Sequence, residues 1–67
     1  MKPYEVRDKI SKLTKMDKEN LRALATLKTL DQLADMKRLA VEQDNDQGVV
    51  LTSAAMYLRA FFEAGVI

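Results

Sequence analysis

The chain has 67 residues, of which 48% are apolar and 31% charged, with a net charge of +1 and neither cysteine nor histidine. That length supports one domain at most, spanning residues 1–67, and the apolar fraction belongs to folded rather than disordered chains. Without Cys there is no disulfide framework and no thiolate metal site, and without His the commonest general base and metal ligand are missing.

The N-terminus, MKPYEVRDKISKL, carries charges where a secretory leader would be apolar, and Arg59 and Glu63 cut the longest apolar run short of the roughly 18 residues a membrane span needs. A cytoplasmic protein without a membrane partner is the expectation. The first predicted helix runs from Pro3 to about Lys15. Pro3 suits a first helical turn, where its missing N–H costs nothing, and Glu5 favours the positive end of the helix dipole. Val6, Ile10 and Leu13 share one face, while Lys9, Lys12 and Lys15 lie toward water. A second helix begins near Asp17 as N-cap and runs through Leu27. No Gly or Pro separates the two, so a single helix from Pro3 to Leu27 competes with this reading.

Leu21, Leu24, Leu27, Leu30, Leu33, Met36 and Leu39 recur at intervals of three. In a continuous α-helix each step falls about 60° short of a turn, so the row would walk around the whole surface. The chain therefore turns near Lys28–Thr29, where Thr29 and Gln32 match a capping box ahead of an apolar run. A third helix runs from Leu30 to about Glu42. Residues 43–48 (QDNDQG) read as a loop dense in turn formers. The last helix starts between Gly48 and Ser53, capped by Thr52 or Ser53 unless it begins at Val49, and ends at Ala64. Gly65 fits the left-handed position that closes a helix, and Val66 the residue that folds back after it.

This last segment is apolar nearly all round, with Thr52, Arg59 and Glu63 as its wet stripe, so it must be covered nearly all round. The fold class is all-α: a small bundle of three to four short helices, an αα-hairpin plus a central apolar C-terminal helix. Three short helices cannot hide every face of such a segment, and a second copy of the chain is the simplest further cover. Met56, Tyr57, Phe61 and Phe62 are the predicted partner contacts. Met16, Met36 and Met56 are expected to face apolar surroundings, as core fillers.

Residues 1–38 hold ten Lys/Arg against six Asp/Glu, and residues 39–67 one Arg against four Asp/Glu. Arg7, Lys9, Lys12 and Lys15 are the candidate nucleic-acid contacts, though acids are interspersed among them and only Tyr4 offers a ring for stacking. A helix–turn–helix across Leu27–Thr29 would present Asp31 and Asp35 to phosphates, which disfavours it. The acidic loop fails as a calcium loop: with Asp44 first, the fifth position is Gly48, the sixth Val49 and the twelfth Ala55. A membrane-surface helix at the N-terminus would lack Trp and Phe on its apolar face. No nucleophile–base pair, phosphate loop, metal set or cofactor motif is present, so no catalytic residue is nominated. The expectation is a non-catalytic interaction or regulatory protein that self-associates and binds another protein; the alternative is a nucleic-acid-binding module using the basic N-terminal helices.

Overall fold

The computed structural model describes residues 2–65 and contains, among them, four helices and no strand. These are α1 (Pro3–Ser11), α2 (Lys15–Leu27), α3 (Leu30–Glu42) and α4 (Asp46–Ala64). α1, α2 and α3 all pack on α4, α3 most extensively. The predicted all-α bundle and the central place of the C-terminal helix both hold. The 19 residues of α4 extend about 28 Å at 1.5 Å each, close to the molecule's 31 Å long axis.

α1 ends at Ser11, short of the expected Lys15, and is not continuous with α2. The cause is a second capping box. Thr14 is extended, its Oγ1 accepts from the Asp17 N–H at 3.1 Å, and the Thr14 N–H donates to Asp17 Oδ2 at 3.4 Å. Asp17 is thus the third residue of α2 and not its cap. The box at the head of α3 is the expected one, with Gln32 N–H donating to Thr29 Oγ1 at 3.2 Å and Thr29 N–H to Gln32 Oε1 at 2.9 Å. Each box satisfies two backbone donors that a helix start would otherwise leave without partners.

α4 begins at Asp46, inside the stretch expected as loop. Asp44 turns the chain with φ +52°, the Asn45 N–H donates to the Ala40 carbonyl at 2.8 Å, and Asn45 Oδ1 accepts from the Gly48 N–H at 3.1 Å. Asn45 is therefore the cap. Thr52 and Ser53 lie a full turn and more inside the helix, and both are buried. Thr52 leaves the predicted wet stripe: its hydroxyl donates back to the Gly48 carbonyl at 2.7 Å, which satisfies it without water. Gly65 closes α4 with φ +75°, as expected. Val66 lies outside the described residues.

Ala25, Leu33 and Ala55 form the fully buried centre, with Leu21, Leu24, Met36, Met56, Leu58 and Phe62 packed around it. Small residues set the closest approaches: a Cβ on Gly48 would stand 3.1 Å from the Ala40 Cβ across the α3–α4 contact. Leu33 and Val50 are the largest fully buried side chains, each contributing about 1.5–3 kcal/mol by burial. The period-three row divides as its geometry requires: Leu33 is buried, while Leu27 and Leu39 stand exposed. Met16 is also exposed, contrary to expectation, because it sits in the first turn of α2 away from α4; Met36 and Met56 do border the core.

Candidate protein-binding face on α1 and α4

The two halves of α4 have different surroundings. In the first half Val49, Val50, Thr52, Ser53, Ala54 and Ala55 are buried, around most of the helix's circumference. A tight turn folds α3 back along this half, and its 13 residues span only about 20 Å. The second half is covered on one side alone. Leu58 and Phe62 pack toward the Ala25–Leu33–Ala55 centre. Arg59 reaches the last turn of α2, where Nη1 donates to the Ala25 carbonyl at 3.3 Å, and its Nε meets Glu63 Oε1 at 3.1 Å. The guanidinium thus serves a carbonyl that the end of α2 leaves free, at the negative end of that helix.

On the opposite side, Tyr57, Ala60, Phe61 and Ala64 all remain exposed. Their spacing of three, four and seven places them on one helical face, and none carries a charge. Tyr57 is 64% exposed and Phe61 49%, large values for rings on a central helix. α1 borders this stripe without covering it. Val6, Ile10, Tyr4 and Arg7 line a recess together with Tyr57 and Phe61. A second groove of about 260 Å³, between α1, α2 and α4, is lined by Ile10, Leu13, Leu21 and Leu58, again with Tyr57 and Phe61, and has Lys18 as its one charged residue.

The four predicted contact residues therefore separate. Tyr57 and Phe61 face outward; Met56 and Phe62 are half-buried against the core, because α2 and α3 cover that side. Tyr4, Ile10, Ala60 and Ala64 were not predicted as part of the face. Ala60 and Ala64 had a legible signal, since they stand three and seven residues after Tyr57; their small size masked it.

Arg7, Lys9, Lys12 and Lys15 are all exposed, but they do not converge. Arg7 and Lys9 lie about 160° apart around α1. Lys12 Nζ pairs with Asp8 Oδ2 at 3.0 Å, an exposed ion pair that adds little stability but neutralises the cation locally. Lys15 belongs to the next helix, beyond the break. Among the described residues no group of three His, Cys, Asp or Glu is placed to hold a metal ion, and no helix is long and apolar enough to cross a membrane. No family model, curated protein or solved structure matches the chain.

Proposed function

We propose that this is a non-catalytic interaction protein that acts by binding another polypeptide through the α1–α4 face. One observation carries the reading: an uncharged stripe of Tyr57, Ala60, Phe61 and Ala64 is left open along the helix that otherwise forms the core. Water-exposed aromatic rings on a helix whose opposite side is buried cost free energy in the isolated chain, and a partner that covers them recovers it. Tyr is also among the residues enriched at protein interfaces, since it joins a large apolar ring to a polar tip. The nucleic-acid alternative is weaker on the same geometry, because Arg7 lies on the far side of α1 from Lys9, Lys15 belongs to α2 and Lys12 is already paired with Asp8.

Photo-cross-linking in the source cell tests the proposal. Benzoylphenylalanine replaces Tyr57 in one variant and the exposed Glu19 of α2 in another. A polypeptide adduct at position 57 and none at position 19 is expected. Adducts to nucleic acid alone, or equal labelling at both positions, would refute it.

A further inference from the structure

Resting on that reading of the face, we infer that its occupant is a second copy of this chain, docked antiparallel along α4 about a two-fold axis between Ala60 and Phe61. The open stripe alternates large and small: Tyr57, Ala60, Phe61, Ala64. A two-fold axis at its midpoint sets Tyr57 opposite Ala64 of the partner subunit and Phe61 opposite Ala60 of the partner subunit. Every ring then meets a methyl group, which lets two helices approach closely with the rings seated as knobs between small side chains. A parallel pair would oppose ring to ring at one end and methyl to methyl at the other, with a clash and a gap in place of packing. The stripe is thus complementary to itself in one orientation only.

Charge points the same way. Arg7 lines the recess beside Tyr57 and Phe61. Antiparallel docking brings the last turn of the partner's helix, with its negative dipole, toward that end of the seam. Arg7 of one copy thereby lies near the negative helix end of the other.

The available area sets the strength. Aromatic side chains bury roughly 150–250 Å² each, so Tyr57 and Phe61, 64% and 49% exposed, leave on the order of 100 Å² or more apiece to be covered. Two copies then bury on the order of 400 Å² through the rings alone, and Ala60, Ala64 and the flank of α1 bring the total toward the ~1,000 Å² lower limit for a specific interface. The pair is therefore weak and reversible, and because the contact is isologous it stops at two copies.

The chain has no cysteine, so single cysteines report the register directly. Positions 57 and 64 each lie three and a half residues from the axis. Like positions are then about 10 Å apart along the seam, beyond the ~7 Å that a disulfide allows. Tyr57→Cys and Ala64→Cys chains, distinguishable by mass, are oxidised separately and mixed. The expected product is the mixed 57–64 disulfide, with little of either homodimer; homodimers in place of it would establish parallel docking and overturn the inference. Sedimentation equilibrium from about 10 μM to 1 mM provides the second readout. The wild type rises from 7.6 kDa toward twice that mass, and Phe61→Asp stays at 7.6 kDa with its helical circular dichroism retained. A wild-type monomer throughout that range would overturn the second-copy assignment. In that case a position-57 photo-adduct to a different polypeptide leaves the binding face standing, whereas no adduct removes both.

Discussion

Replacing Gly48 by Ala is expected to destabilise the protein, against the rule that Ala outperforms Gly inside a helix. Gly48 is the third residue of α4, and helix propensity alone predicts a gain of about 1 kcal/mol from the change. The surroundings oppose it. A Cβ at this position would stand 2.7 Å from Asn45 Nδ2, 3.1 Å from Asn45 Cγ and 3.1 Å from the Ala40 Cβ. Asn45 is the N-cap, holding the Gly48 N–H at 3.1 Å, and swinging it aside forfeits about 1 kcal/mol. The Ala40 methyl cannot swing aside, since it is fixed to the α3 backbone, so relief there requires the two helices to separate at a cost of about 1–3 kcal/mol. The costs exceed the gain by roughly 1–3 kcal/mol, which for a domain of this size lowers Tm by about 5–25 °C. Thermal and urea melts followed by circular dichroism measure this. An Asn45→Gly background removes the cap clash at a penalty of only a few tenths of a kcal/mol, so the loss from Gly48→Ala should shrink there and not vanish. A Tm increase on Gly48→Ala in the wild-type background would refute the reasoning, because propensity would then outweigh the α3–α4 contact.

Leu33→Ala removes the largest side chain of the fully buried centre and should cost about 3–5 kcal/mol, comparable with the whole stability of a domain this small; a cooperative melt shifted by less than 5 °C would contradict the assigned core. Ser53→Ala should raise stability by about 1 kcal/mol, because Ser53 Oγ is buried with no hydrogen-bond partner, and any clear loss in a urea titration would show that the hydroxyl is satisfied in solution. Arg59→Met should cost about 1 kcal/mol through the lost contact with the Ala25 carbonyl, whereas Glu63→Gln should cost only a few tenths; equal losses from the two substitutions would assign the effect of Arg59 to its ion pair and not to its capping of α2.

Features that depend on a few neighbouring residues could be read from the amino-acid pattern. The Thr29–Gln32 box, the closing Gly65, the turn forced by period-three leucines and the inside position of an apolar C-terminal segment were all legible, because each follows from local hydrogen-bonding chemistry or helical spacing. The Thr14–Asp17 box is equally local and was missed because Asp17 also resembles an N-cap. At the head of α4, Asn45 took the cap in place of Thr52 or Ser53, which moved the helix start to Asp46 and turned a loop glycine into the α3–α4 contact point. Which of the four predicted contacts stay open was decided by the packing of the other helices. A helix apolar on all sides carries no sequence mark of which side its neighbours will cover. α2 and α3 took the side of Met56 and Phe62, and α1, with nine residues, borders Tyr57 and Phe61 without covering them. Local pattern names the residues that need cover, but the length and placement of the other helices decide which of them receive it.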